Sequence, residues 1–212
     1  MEKVLGIFDK CFLINLDSCT DRLEKMTKRL NDLNIPFERI KGEVFDDAAN
    51  FKWGKGARGC TISHLNCIKE AKKRNYDNIL ILVDDCIFID NFLEIWYNNL
   101  LPKLKEIDYD IFYLHQHLLK PKKFDIEKLD IMKIDGTAAT HFWVINGKFF
   151  DQAINIIETV MSRPTCSSID LYFNSRYYNN KLKIFATNYN LTGQDQGYSS
   201  IAFTNISKKY IL

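Results

Sequence analysis

Between Lys10 and Asp85 the chain alternates apolar, β-rich runs with helical stretches, and that order restricts the fold more than any other feature. Lys10 to Leu16, KCFLINL, is a short β-rich run. Asp17-Ser18-Cys19-Thr20 leads into an amphipathic helix reaching about Leu33, with Leu23, Met26, Leu30 and Leu33 at helical spacing. Asn34-Ile35-Pro36 breaks that helix, and Phe37 to Ile40 reads as a second strand. Lys52 to Gly59, KWGKGARG, reads as a glycine-rich basic loop that opens a helix from about Cys60 to Arg74. The aliphatic run Asn78 to Val83 is a third strand, ending in Asp84-Asp85. Strand, helix, strand, helix, strand predicts a parallel sheet with right-handed crossovers.

Further on, Phe92 to Leu104 reads as a helix, Asp110 to Leu114 as a strand and Lys120 to Lys133 as a polar surface excursion. Thr140 to Ile145 is strand-like, Lys148 to Met161 helical, Ser168 to Tyr178 a shorter helix, and Leu182 to Ala186 a last strand. The stretch from Asn188 to Ser200 is polar and loop-like. The 212 residues are 46% hydrophobic, enough for one substantial core, and no repeat, low-complexity tract or linker divides them. We therefore expect a single α/β domain over residues 1–212 with a mostly parallel central sheet.

Charge narrows the function. Against 29 basic residues stand 27 acidic ones, a net +2, which is too balanced to favour nucleic acid as a partner. No apolar run reaches the roughly 18 residues of a membrane-spanning helix. The opening MEKVLGIFDK lacks the apolar stretch and cleavage site of a signal peptide, so a cytoplasmic location is expected. The six cysteines form no CxxC pair and lie mostly in apolar surroundings, which reads as reduced thiols.

Asp84 and Asp85 end an apolar strand, and neither could stay charged in a core without a partner. Both should emerge at the strand's carboxyl end, where ligands bind in open α/β sheets. There they either hold a divalent cation that bridges nucleotide phosphates, or form a strand-end turn that caps the next helix or pairs with a lysine. Hard oxygen ligands of this kind suit Mg²⁺ or Mn²⁺.

Five short blocks in fixed order then resemble one family. Phe12 to Asp17 with Asp21-Arg22 resembles the INLD…DR opening of glycosyltransferase family 25, the lipooligosaccharide and procollagen galactosyltransferase group. Gly59 to His64 is similar to its GC-x-x-SH signature, and LVDD with Phe88 and Phe92 to its LEDD…F block. Ser168 to Leu171 is similar to its VDE-type segment. Gln194 to Ile201 resembles its Q…SDI motif, with Ser200 where that motif has an acid. The resemblance implies a GT-A (Rossmann-like) fold, a UDP-sugar donor and a metal on the acidic motif, hence Asp84 and Asp85 as metal ligands. It also implies donor contacts at Asn15, Asp17, Arg22, Ser63, His64, Asp84 and Gln194. Val83 stands where the family has a glutamate.

Other residues take a place within that expectation. Arg22 either meets a diphosphate through paired hydrogen bonds or is a helix-surface charge. Lys55 and Arg58, in a glycine-rich stretch ahead of a helix N-terminus, suit phosphate binding, unless the stretch is only a connection. Asp170 is the candidate base for an acceptor hydroxyl, or else a helix-start acid. His64 has a core-like face, so it is either a buried histidine or a donor contact. His115 and His117 either approach the site or face solvent, and His141 reads as an edge or core histidine. Gln194 and Asp195 lie in a stretch that either closes over a diphosphate or stays a loop. Lys120 to Lys123, Tyr172, Tyr177 and Tyr178 either line an acceptor groove or are ordinary surface and core.

The leading expectation is a metal-dependent, inverting glycosyltransferase. It would move galactose or glucose from a UDP-sugar to a hydroxyl of a glycan or glycoprotein, with Mn²⁺ or Mg²⁺ on Asp84 and Asp85. Transfer to a nucleic-acid base has little support from the near-neutral charge. The rival from another class is an inactive GT-A-like module that binds a nucleotide sugar or glycan, and Val83 is its main argument.

Overall fold

Side-chain alternation along the first strand decides where the helices must go. In the computed structural model, β1 (Lys10–Asn15) points Phe12 and Ile14 into one core and Cys11 and Leu13 into another, and all four are buried. A strand apolar on both faces needs a cover on each. α1 (Thr20–Asp32) covers one face through Met26 and Leu30; α2 (Gly54–Lys73) covers the other through Leu65, Cys67, Ile68 and Ala71. β2 (Glu38–Lys41) and β3 (Asn78–Val83) pair in parallel with opposite edges of β1. Crossovers of one hand then place α1 and α2 on opposite sides, as the two cores require.

The structure describes residues 2–116, 124–137, 140–174, 178, 180–195, 197–199 and 204–206. After β3 come β4 (Cys86–Phe88) and a helical stretch made of α3 (Phe92–Ile95), a π-helical segment (Trp96–Leu100) and α4 (Leu101–Glu106). Then follow β5 (Ile111–Tyr113), β6 (Ile131–Lys133), β7 (Phe142–Asn146), α5 (Phe150–Met161) and β8 (Ile184–Thr187). β9 (Thr192–Gln194), β10 (Gly197–Ser199) and β11 (Thr204–Ile206) complete the order. The central sheet has seven strands in the order β2-β1-β3-β7-β5-β8-β6. Five of the seven run one way, and β7 and β6 run against them. β4 and β9 form a separate antiparallel ribbon, as do β10 and β11. Among the described residues no helix is long and apolar enough to cross a membrane.

Three expectations are corrected. The glycine-rich run is no loop: α2 begins at Gly54, so Lys55 and Arg58 are helical. Glycine weakens a helix by about 1 kcal/mol per residue, but burial of Ala57 and Gly59 outweighs that local cost. Gly59 answers a close approach, since a Cβ there would lie 2.3 Å from the Glu43 carbonyl oxygen. Second, among the described residues from Ser168 to Asn174 the chain forms only a 3₁₀ turn, Ile169–Leu171, so Asp170 sits on that turn and not at the start of an α-helix. Third, the polar stretch after Asn188 is not all loop, because β9 pairs with β4, neither of which has enough apolar length to announce itself. The edge strand β6, with Met132 and Lys133 exposed, also lies inside the expected surface excursion.

Candidate active site

The carboxyl ends of β1 and β3 lie side by side where the chain has passed from one edge of β1 to the other. α1 and α2 diverge there, which is where α/β sheets leave a crevice. A cavity of about 410 Å³ occupies the place. Its walls are Asn15 and Leu16 after β1, Gly42 to Phe45 after β2, Val83 to Asp85 after β3, and the first half of α2. Thr140 and His141 ahead of β7, together with Arg22, Asp170 and Gln194, complete it.

The aspartates meet different partners. Asp84 is buried, and its Oδ2 accepts from Asn15 Nδ2 at 2.7 Å while Arg22 Nη1 lies 3.5 Å from its Oδ1. Burial raises the Asp84 pKa, and the Asn15 bond and Arg22 charge oppose that rise. Asn15 is itself held, donating to the Cys19 carbonyl at 3.0 Å and accepting from Arg39 Nε at 3.0 Å. Its amide therefore orients Asp84. Asp85 accepts from Gln194 Nε2 at 3.0 Å through Oδ2, and its carbonyl accepts from the Asp195 N–H at 2.7 Å. As a residue Asp85 is only partly buried, but its Oδ1 is sealed from solvent with no partner among the described residues. Burial first, then the neighbouring Asp84 charge, push its carboxyl up to about 6, against the pull of Gln194.

The aspartate turn is braced from behind. Arg29 of α1 donates to the Cys86 carbonyl at 3.0 Å and pairs with Asp195 at 2.8 Å. Helix, turn and β9 are thereby tied together, and Gln194 is carried over the acids. Asp170, on its 3₁₀ turn, accepts from Thr140 Oγ1 at 3.4 Å. Cys60 links the acids electrostatically: burial raises its thiol pKa, and the Asp170 and Asp85 charges add to the rise. His64 is fully buried, its Nδ1 accepting from Trp143 Nε1 at 3.0 Å.

Of the residues singled out in the sequence, Asn15, Arg22, Lys55, Ser63, His64, Asp84, Asp85, Asp170 and Gln194 line the cavity. Ser63 does so with its hydroxyl occupied, donating to the Gly59 carbonyl at 2.7 Å and accepting from the Glu43 N–H at 2.8 Å. Two predicted donor contacts lie elsewhere. Asp17 is paired with Arg39 and Lys41 at 2.5 and 2.7 Å outside the cavity, the Lys41 and Arg39 bonds lowering its pKa. Arg58 bonds Asp47 at 2.5 Å and stacks over Phe45 at 3.9 Å, one helical face away from the cavity wall. His115 lies behind the wall, its Nδ1 2.8 Å from the Thr192 carbonyl, whereas His141 is part of it. Tyr172 is buried and donates to the Ser167 carbonyl at 2.8 Å, and Tyr178 packs against the core. His117, Tyr177, Ser200 and Lys120 to Lys123 lie outside the described residues.

Sequence reasoning overlooked Glu43, Val44, Phe45 and Thr140. The available signal was positional: each follows or precedes a strand at the sheet's ligand-binding edge. Among the described residues, no group of three or more His, Cys, Asp or Glu side chains could hold a metal ion. The donor set on offer is the two hard carboxylates, which fits Mg²⁺ or Mn²⁺ because these ions commonly take one or two carboxylates and complete their shell with substrate phosphate and water.

Fold and cavity together define an α/β domain with a candidate site at the strands' carboxyl ends. The sequence model of glycosyltransferase family 25 (LPS biosynthesis protein) matches residues 8–188, and the chain belongs to that family. Over 130 residues it is 29% identical to procollagen galactosyltransferase 1-B of Xenopus laevis, an overlap covering 50% of this chain and 21% of that protein. Procollagen galactosyltransferase 1-A of the same species is 28% identical over 133 residues, with the same two coverages of 50% and 21%. The chain thus spans about a fifth of the length of the curated relatives it matches. Among solved structures, A197 from STIV is similar at a TM-score of 0.45 and 14% identity, over 83% of this chain and 79% of that one. A glycosyltransferase involved in the glycosylation of the major capsid of PBCV-1 is similar at 0.44 and 8%, over 73% and 67%.

Proposed function

We propose that the chain is an inverting glycosyltransferase that moves a hexose, galactose or glucose, from a UDP-sugar to a hydroxyl of a glycan or glycoprotein. The observation that carries this reading is the meeting of Asp84, Asp85 and Asp170 in one cavity that also holds Arg22 and Lys55. Cations beside carboxylates suit a diphosphate bound near a metal, and the volume of about 410 Å³ falls in the range of small-molecule sites. Family membership supports the reading, as does the likeness to galactosyltransferases over half the chain.

Each residue has a part. Asp85, through its unpartnered Oδ1, and Asp84 beside it would hold Mn²⁺ or Mg²⁺. Such an ion, when bound, offsets the charge that develops on the departing UDP. Arg22 would hold Asp84 in place and face the phosphates, with Lys55 as a second cation at the cavity wall. Asp170, held by Thr140, would accept the proton of the acceptor hydroxyl as that oxygen attacks the anomeric carbon and UDP leaves from the opposite side.

A second reading, a binding module without transfer activity, is favoured by one observation: Val83 lines the cavity at the position of the family's glutamate. Incubating the protein with UDP-galactose or UDP-glucose and Mn²⁺, then following UDP release with and without acceptor glycans, separates the two. The transferase reading predicts metal-dependent UDP release. It further predicts that Asp170→Asn keeps donor affinity while transfer slows at least roughly 10²-fold, the usual scale for losing a general base. Binding without release in wild type would favour the module, and unchanged turnover in Asp170→Asn would remove this residue as the base.

A further inference from the structure

We propose that Trp143 locks His64 as a neutral hydrogen-bond donor, and that this donor meets an oxygen of the bound sugar nucleotide. The second half rests on the proposed function; the lock does not. An indole N–H donates and never accepts, so at 3.0 Å from Trp143 Nε1 the His64 Nδ1 must present its lone pair. The proton of the neutral ring is then on Nε2. The two rings meet edge to face, 5.4 Å apart at 71°, so the indole engages Nδ1, while the buried Nε2 has no partner among the described residues.

The lock has a rigid mount. Trp143 is fully buried in β7, between Ile81 of β3 and Tyr113 of β5, and it stacks on the Tyr113 ring at 6.2 Å. His64 is fixed by α2, whose Cys67 and Ile68, three and four residues on, are buried in the core. Burial also holds its pKa down, to about 3, so the ring stays neutral wherever the enzyme would work.

These facts remove two roles and leave one. Nε2 already carries a proton, so it can neither take one from an acceptor hydroxyl nor offer a lone pair to a metal. What remains is an N–H donor, buried, without a partner among the described residues, on a side chain that lines the cavity. A buried donor left unpaired is unfavourable enough that native proteins seldom keep one. A sugar nucleotide supplies acceptors in its hydroxyls, ring oxygen and phosphates. Trp143, which does not line the cavity, is then a positioning residue acting through His64.

Nitrogen-15 NMR of histidine-labelled protein, with His64 assigned by its disappearance in His64→Gln, reads the tautomer without any ligand. The expected result is a protonated Nε2, a bare Nδ1 and no titration through the neutral range. Trp143→Phe keeps an aromatic ring but removes the indole donor, so His64 should populate Nδ1–H as well. UDP-galactose affinity should fall about three- to tenfold, the scale of one hydrogen bond. His64→Gln, which keeps an amide N–H, should bind more tightly than His64→Phe. If wild-type His64 carries its proton on Nδ1, the lock is wrong, even if Trp143→Phe does not fold. A single Nε2–H tautomer in a protein that binds no UDP-sugar would keep the lock and sink the nucleotide reading. Equal affinities in wild type, Trp143→Phe and His64→Phe would overturn the contact.

Discussion

Asp85 is held in a form that costs the folded protein stability. Its folded pKa of about 6 lies above the ordinary 3.8, so the native state keeps a proton that the unfolded chain releases. The stability this gives is full below the lower value and is lost as pH rises through the upper one. Asp84, raised by its own burial, acts in the same direction. In chelator, wild type should therefore be more stable at mildly acidic than at neutral pH. Asp85→Asn should flatten that slope and gain about 3 kcal/mol near neutrality, the worth of roughly two pKa units at about 1.4 kcal/mol each. Thermal unfolding across the pH range checks it. An unchanged slope in the variant would mean that Asp85 is solvated and not strained by burial. A residue that lowers stability where the protein works is what a site built for a ligand predicts, and Oδ1 is the atom left waiting.

At the level of elements, the turn from β2 into α2 forms the cavity's second wall, and Gly59 sets its distance from the helix. Two effects compete in Gly59→Ala. Helix propensity favours alanine by about 1 kcal/mol. Against it, the new Cβ would stand 2.3 Å from the Glu43 carbonyl oxygen, a backbone atom whose neighbouring N–H is tied to Ser63. Overpacking against a fixed neighbour typically costs 1–3 kcal/mol, so the clash should win. We expect net destabilisation of up to about 2 kcal/mol in denaturant titrations, with UDP-sugar affinity reduced because Val44 and Phe45 move with the turn. A stabilised variant would show that the wall yields.

The same turn shows what could and could not be read beforehand. β1, β3 and their aspartates were legible because long apolar runs with a polar stop have one reading in an α/β sheet. Asn15, Arg22, His64 and Asp170 came through short blocks in family order. The glycines of α2 misled, since a glycine that permits close packing and one that frees a loop look alike in sequence. β4 and β9 escaped because strands of three residues have no periodicity and are held by pairing and by Arg29 and Asp195. Arg58 lies off the cavity wall for a related reason: a basic residue near a cavity is as easily satisfied by Asp47 and Phe45 as by phosphate.

In the whole molecule, the site exists because three distant stretches converge on one sheet edge: the β1 end with Arg22, the β3 aspartates, and Asp170 with Gln194 from the later chain. The order β2-β1-β3 opens the crevice, and the β4–β9 ribbon closes one side of it. The central claim is that this crevice binds a sugar nucleotide through its acids and a divalent ion. Isothermal titration of UDP-galactose and UDP-glucose into wild type and Asp85→Asn, each with Mn²⁺ and with chelator, tests it most directly. The account predicts saturable one-to-one binding that needs both Mn²⁺ and Asp85. No binding in wild type, or binding of equal strength in Asp85→Asn and in chelator, would contradict it.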